Sequence, residues 1–187
     1  MLILNKDEYS ILIDNDREYA ANSADNVHTY NAEYSLGDAL YRPSCQHSIV
    51  VRKNDDILRS CILLADGGAT GIHESSAIIH GNSCLIAVGQ FMCSIEIPCL
   101  ELEWKAEVDS ATCFGVYYSA AHNCFISHGE LEITRVEMDG KVLWHGGGKD
   151  IFTNGFELHE NYVEVVDWND EIYRIDIATG QSRIVAI

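Results

Sequence analysis

Four histidines recur at related places in the sequence, and their type and spacing could support metal chemistry. Three of them, His80, His122 and His159, are followed within two residues by an asparagine, and His47 belongs to a fainter copy of the same pattern. Neutral imidazoles are good ligands for zinc and copper. If the copies surrounded a common axis, these side chains would converge on one metal site. The alternative, which we favour, is that each histidine stabilises a turn through backbone hydrogen bonds. We therefore expect no bound metal and no other cofactor.

A second candidate is a polar site at a predicted hairpin tip. His128 and Glu130 flank Gly129, and we group Asp109 and Asp150 with them. A histidine beside a carboxylate can act as a general acid–base pair or hold a cation. Polar residues are also normal at a hairpin tip, and this structural interpretation is the favoured one.

Other motifs argue against the common classes of enzyme. The glycine run 146–148 precedes Lys149, but the spaced glycines and the Ser or Thr of a phosphate-binding loop are missing. The Gly-x-Ser-x-Gly signature of many hydrolases does not occur. The sequence favours a protein that is not an enzyme, while a catalytic group assembled across the fold stays an open alternative.

Short strands must position all of these residues. No segment has a sustained apolar period of 3.6 residues, whereas runs rich in Val, Ile, Tyr and Phe alternate with turn pairs. At the C-terminal end, 162–167 and 171–177 predict two strands joined by a turn, and Tyr173, Ile175 and Ile177 share one face. Asp139-Gly140 between apolar alternations predicts a tight hairpin.

The strand pattern repeats, and the repeat determines the predicted fold. Units of this size, with about four strands in about 40 residues, are typical of propeller blades. We predict an all-β single domain with about four propeller-like blades, a small or partial β-propeller; a β-sandwich is the alternative. The predicted segments are an N-terminal hairpin, a loop region and four units: 1–13, 14–45, 38–69, 70–111, 112–149 and 150–187.

The third and fourth units resemble blades of the quinoprotein (PQQ-like) repeat, which carry an Asp, a turn with Gly and a strand ending in Trp. The matching stretches are 137–144 and 174–181, although the last copy lacks the Trp. The segments 109–115, 127–133 and 148–152 also resemble those of small bacterial proteins. The first likeness implies a propeller-like fold. Neither implies an activity or a bound quinone.

Charge and cysteine content narrow the choice of partners and location. The 187 residues carry 29 Asp and Glu against 12 Lys and Arg, a formal net charge of −17. Such a field repels phosphate backbones and anionic lipid, so we expect neither nucleic acid nor membrane as partner. It favours a basic protein. The seven cysteines lack a C-x-x-C pair and lie mostly in apolar runs, which is typical of reduced thiols in the cytoplasm.

The leading hypothesis from the sequence is a non-catalytic binding protein for a basic protein partner, as an immunity factor would be for a basic toxin. The alternative is a metal-binding protein or metal-dependent enzyme that uses the repeated histidines. A homo-oligomer is a further possibility, because four blades leave open edges that two copies could close into one ring.

Overall fold

The computed structural model describes residues 1–37 and 43–185, and every regular element in these ranges is a β-strand. The strands form four small sheets in chain order. The prediction of an all-β fold with about four strand units is therefore confirmed, and the described part does not form the two stacked sheets of a sandwich. No helix in these ranges has the length and apolar character needed to cross a membrane.

The first sheet, which we call blade 1, combines the N-terminal hairpin with strands that follow it in the chain. The N-terminal hairpin, β1 and β2, pairs through β2 with β4, and β4 pairs with β5, all antiparallel. A fifth strand, β3, joins the outer edge of β5 in parallel. The bounds are β1 Leu2–Lys6, β2 Tyr9–Asn15, β3 Ala32–Ser35, β4 Cys45–Lys53 and β5 Asp56–Ala65.

Blades 2, 3 and 4 are regular up-and-down sheets of four antiparallel strands each. Blade 2 consists of β6 Ala77–His80, β7 Ser83–Val88, β8 Phe91–Glu96 and β9 Leu102–Glu107. Blade 3 consists of β10 Cys113–Ser119, β11 Cys124–Gly129, β12 Glu132–Val136 and β13 Val142–Gly147. Blade 4 consists of β14 Gly155–Leu158, β15 Tyr162–Val166, β16 Ile172–Asp176 and β17 Ser182–Ile184.

The connection between β2 and β4, residues 16–44, is an insertion in blade 1. For the segment 14–45 the sequence predicts a loop, and the structure differs by placing β3 within it. Asn31 attaches the start of β3 to the sheet, because its backbone N–H donates to the Ser60 carbonyl and its side chain accepts from the Ser60 N–H. Asp38 and Leu40, at the start of the first predicted unit, lie outside the described residues.

Three apolar cores hold consecutive blades together, one at each junction. Blades 2 and 3 are covered on both faces, so β7 and β8 are buried almost continuously, whereas β15 and β16 in blade 4 alternate between buried and partly exposed residues. Within the described residues, no core cluster joins blade 4 to blade 1. The described residues of the four blades therefore form an open arc.

A tryptophan on the last strand of one blade packs on a glycine turn of the next blade. A Cβ on Gly140 would lie 2.6 Å from the Trp104 ring, and a Cβ on Gly180 would lie 2.7 Å from the Trp144 ring. The Trp144 indole N–H also donates to the Ile177 carbonyl over 3.0 Å. Only glycine leaves room for the ring at these turns.

The two ends of the arc depart from this arrangement. At the first junction Tyr34, on the inserted strand β3, takes the place of the tryptophan and donates its hydroxyl to the Leu100 carbonyl over 2.9 Å. In blade 4, Arg183 pairs with Arg174 at the position where Trp144 pairs with Arg135 in blade 3. The last described strand of blade 4 thus carries an arginine, not an aromatic ring, at the docking position.

Candidate functional site

One end of the arc, which we call the upper end, carries the turns between the second and third strands of blades 2–4. It also carries the crossings, which are the segments that connect one blade to the next. Backbone hydrogen bonds link them in a repeating way. The Cys113 N–H donates to the Gly89 carbonyl, and the Phe152 N–H donates to the Glu130 carbonyl, each over 2.7 Å. The crossings from blade 2 to blade 3 and from blade 3 to blade 4 are therefore fixed on the hairpin turn of the preceding blade, and the candidate polar residues lie in this region.

Asp109 is almost fully buried and its carboxylate accepts four backbone N–H groups. One oxygen accepts from Ala111 and Thr112 at 2.6 and 2.9 Å, and the other accepts from Leu131 and Glu132 at 2.8 Å each. The first pair belongs to the crossing from blade 2 to blade 3, and the second pair belongs to the hairpin of blade 3. The carboxylate fastens the two segments together, and hydrogen bonds occupy both of its oxygens.

His128 is enclosed by aromatic rings at the junction of blades 3 and 4. Its ring stacks on Phe156 with the centroids 4.7 Å apart and meets Phe114 edge-on at 5.4 Å. Nε2 lies 3.2 Å from the Phe152 carbonyl. Burial lowers the pKa of His128 to about 4, with smaller opposing effects from the Phe152 carbonyl and Asp109. The imidazole is therefore neutral at pH 7.

Glu130 and Asp150 lie nearer to the surface of the same end. The Asp150 carboxylate accepts from the Ile151 N–H and from the Asn169 side chain, each over 2.8 Å. Glu130 is half-buried and its backbone is held by Thr112 and Phe152. In the described residues no hydrogen bond or ion pair joins His128 to Glu130. The structure thus places all four candidate residues at the upper end, with Asp109 and His128 inside and Glu130 and Asp150 outside.

His47 occupies a different environment from the other three repeated histidines. It lies on β4 with no exposed surface, and its Nε2 is 3.5 Å from the Thr70 carbonyl. Its Nδ1 is buried without a hydrogen-bond partner. Burial lowers the pKa of His47 to about 4, against smaller raising effects of the Thr70 and Ala87 backbone.

The remaining histidines lie at the turn between the first and second strands of their blades, opposite to the upper end. The His80 ring lies tilted against Tyr118 with ring centroids 4.2 Å apart, and His159 stacks on Tyr162 at 4.4 Å. His122 has its Nε2 buried without a partner. The His80 ring is thus packed against the neighbouring blade, and the His159 ring is packed within its own turn.

Within residues 1–37 and 43–185, one trio of potential metal ligands has its atoms within 4.8 Å of one another: Glu96, Cys99 and Glu101. None of the four repeated histidines belongs to it. The trio lies at the turn after β8, where Cys99 Sγ contacts a Glu96 carboxylate oxygen at 3.1 Å.

An exposed tryptophan at the upper end was missed by reasoning from sequence. Trp168 lies at the hairpin tip of blade 4 with 64% of its side chain accessible, and Leu131 at the corresponding tip of blade 3 is 39% accessible. The Trp168 backbone N–H donates to the Ile151 carbonyl over 2.8 Å. The backbone N–H of Phe152, which follows Ile151, donates to the Glu130 carbonyl. The signal was present in the sequence, because a large apolar ring stands at a tip where polar residues are usual.

We call this region the upper patch and define it by Glu130, Leu131, Asp150, Trp168 and Asp170. Its carboxylates lack a cationic partner: in the described part of the chain, no ion pair involves Glu130, Asp150 or Asp170. The nearby Lys149 is already paired with Glu171 at 3.0 Å. The patch therefore combines an exposed aromatic ring with unneutralised negative charge.

Similarity to solved structures identifies the fold. The Doa1 WD40 β-propeller domain matches 75% of this chain with a TM-score of 0.50 at 12% sequence identity. Hydrazine synthase of Kuenenia stuttgartiensis also matches 75% of the chain, with a TM-score of 0.55 at 10% identity. The computationally designed Ika8 protein matches 75% with a TM-score of 0.53 at 14% identity. The fold is propeller-like.

These similarities concern the fold alone. The chain spans 49% of the Doa1 domain, 43% of the hydrazine synthase chain and 45% of Ika8. No protein-family model matches the sequence, and no curated protein matches it.

Proposed function

We propose that this protein is a non-catalytic interaction protein that binds a basic segment of a protein partner at the upper patch. The observation that carries the proposal is Trp168, an exposed ring held at a hairpin tip beside unpaired carboxylates. A role of the immunity type, in which an acidic protein neutralises a basic toxin, fits this chemistry.

Two physical arguments support recognition at this place. Tryptophan is enriched among the residues that dominate protein–protein binding energy, because it buries a large rigid surface at low entropic cost. Unpaired carboxylates around it attract Lys and Arg, and the net charge of −17 accelerates encounter with a basic partner. The backbone bond from Trp168 to Ile151 fixes the tip in advance, which reduces the cost of ordering it.

The interior contacts of the other candidate residues support binding over catalysis. The four N–H groups on Asp109 occupy its lone pairs, and His128 is packed between rings. General acid–base catalysis requires a free proton-accepting atom within reach of the substrate, and both Asp109 oxygens are already engaged.

Two finer assignments complete the proposal. We assign the blades to the quinoprotein repeat type, supported by the Asp139-Gly140 turn and the packing of Trp104 on Gly140. We also assign the protein to the cytoplasm, supported by seven free cysteines, six of them buried.

Site-specific photo-crosslinking tests the binding proposal. The crosslinking amino acid p-benzoylphenylalanine is placed at position 168, and a matched control carries it at position 143 in place of Leu143, which is 48% accessible on β13. Both proteins are irradiated in a lysate of the source organism, and the adducts are identified by mass spectrometry.

The expected result is one dominant adduct at position 168, formed with a protein of basic isoelectric point and lost at high salt. The same adducts at both positions, or a dominant adduct with an acidic protein, would contradict the proposal. Because the control differs only in the site of the crosslinker, nonspecific crosslinking at the acidic surface should give the same adducts with both proteins.

A further inference from the structure

A second feature lies far from the upper patch, on the outer face of blade 1. A groove of about 780 Å³ runs between this face and residues 27–31 of the insertion. Its size is within the range of small-molecule sites, about 300–1,000 Å³. Blade 1 leaves this face free because the apolar core of the first junction covers the opposite face.

The walls of the groove are fixed by hydrogen bonds. The Tyr30 hydroxyl donates to an Asp16 carboxylate oxygen over 2.6 Å, and His28 Nδ1 lies 3.1 Å from the same oxygen. Burial, followed by the bond to Asp16, raises the pKa of Tyr30 well above its usual range, so its proton stays in place. Asn31 ties this wall to β5 through Ser60.

Apolar side chains concentrate along the groove. Four large hydrophobic residues that line it are exposed: Met1, Val27, Ile57 and Leu58. Leu12 and Val50, which face each other across β2 and β4, form its floor. An elongated apolar group laid over this floor would remove these side chains from water.

A cation without a partner lies at one end of the groove. Arg52 lines it, and its Nε is enclosed with no hydrogen-bond acceptor. In the described residues Arg52 forms no ion pair, whereas Lys53 beside it is paired with Glu8 at 2.7 Å. On a chain with a net charge of −17, a half-buried guanidinium without a carboxylate is unusual, and it attracts an anion from outside.

The opposite end carries Asp14 and Asp16, and the Met1 ammonium lies 3.4 Å from an Asp14 carboxylate oxygen. Asp14 pairs with Ser48 and Arg52 pairs with Ser10 in the sheet register, so the two ends are four residues apart along the strands, about 13 Å. Two carboxylates against one ammonium leave this end negative, so it repels an anionic head. The Arg52 end attracts the head, which fixes the direction of a bound molecule.

We propose that this groove binds a medium-chain amphipathic carboxylate, with the carboxylate on the Arg52 guanidinium and the apolar chain along Leu12 and Val50. A planar guanidinium binds a carboxylate through two parallel N–H···O bonds, and here its two terminal nitrogens would donate them, because Nε is enclosed. The site is separate from the upper patch, so either proposal can fail without the other.

Calorimetric titration with sodium decanoate tests this inference, using the wild-type protein, Arg52→Gln, Arg52→Lys and the control Arg183→Gln. Arg183 is exposed on β17 and forms no ion pair in the described residues, so its substitution removes the same charge elsewhere. Butyrate and decanamide are titrated into the wild-type protein to separate the contributions of the chain and the charge. Circular dichroism melting establishes that each variant folds.

We expect saturable binding of one decanoate, weakened at least tenfold by Arg52→Gln, weakened to a smaller degree by Arg52→Lys and unchanged by Arg183→Gln. Butyrate and decanamide should each bind the wild-type protein at least tenfold more weakly than decanoate. Absence of saturable binding to the wild-type protein, or equal affinity of Arg52→Gln and Arg183→Gln, would overturn the proposal. The wild-type comparison of decanoate with decanamide decides the matter even if an Arg52 variant does not fold.

Discussion

Replacing Asp109 with asparagine should destabilise the junction of blades 2 and 3 strongly. The carboxylate accepts four backbone N–H groups, two on each oxygen. Asparagine offers one carbonyl oxygen and directs an NH₂ group at the other two donors, so at least two of the four bonds are lost. Each hydrogen bond to a charged group contributes about 1.5–3 kcal/mol, so the loss expected for two bonds is about 3–6 kcal/mol. This is a large share of the ~5–15 kcal/mol typical of a domain.

Urea unfolding followed by circular dichroism and by tryptophan fluorescence measures the loss. Asp139→Asn is the matched control, since Asp139 is exposed and accepts one backbone bond, from Lys141 at 3.1 Å. We expect the control to lose less than about 1 kcal/mol. If Asp109→Asn lost no more than the control, the carboxylate would not fasten the two segments, and the structural role assigned to it would be wrong.

Two further perturbations probe the packing of the blades. Gly180→Ala should lower the free energy of unfolding by about 2–4 kcal/mol, because φ is +73° and the new Cβ would meet the Trp144 ring. The control Gly81→Ala, at φ +57° with open space around it, should lower it by about 1–2 kcal/mol. Equal losses in urea unfolding would argue against the ring contact. Fully buried His47 and partly buried His128 have pKa values lowered to about 4 against an ordinary value of 6.5, so the stability tied to their neutral forms is complete above pH 6.5 and is lost as the pH falls toward 4. The loss is about 3 kcal/mol for each histidine, and NMR titration midpoints near 6.5 would contradict it.

The repeat of strands could be predicted from the sequence because it is a local property. The alternation at Tyr173, Ile175 and Ile177 is clear since blade 4 has one face in the core and the other in water. In β7 and β8 both faces are covered, so the apolar runs are continuous. They show no alternation from which to assign each side chain to one face of the sheet.

The alignment of the repeats was displaced by one residue in the fourth unit. The predicted third and fourth units begin at Thr112 and Asp150, whereas backbone bonds make Thr112 equivalent to Ile151. The Thr112 carbonyl accepts from the Glu130 N–H, and the Ile151 carbonyl accepts from the Trp168 N–H. Cys113 and Phe152 then become the equivalent buried residues. A one-residue shift is difficult to detect in loops, because the hydrogen bonds that define it join distant parts of the chain.

The environment of the candidate residues depended on such distant contacts. The donors to Asp109 at Leu131 and Glu132 lie 22 and 23 residues away. The inserted strand β3 pairs with β5 although the whole of β4 lies between them in the sequence. Its Tyr34 replaces a tryptophan in the docking of blade 2. A short stretch of Ala-Glu-Tyr-Ser gives no local indication of either role.

The central claim is that Trp168 and the carboxylates around it bind a basic protein. The most direct test is the dissociation constant of the partner captured at position 168, measured by calorimetry at low and high salt for the wild-type protein and for Trp168→Ala. We predict that the substitution weakens binding at least tenfold, as for a central aromatic contact, and that salt weakens the wild-type complex. An affinity that neither Trp168→Ala nor salt changes would contradict the account.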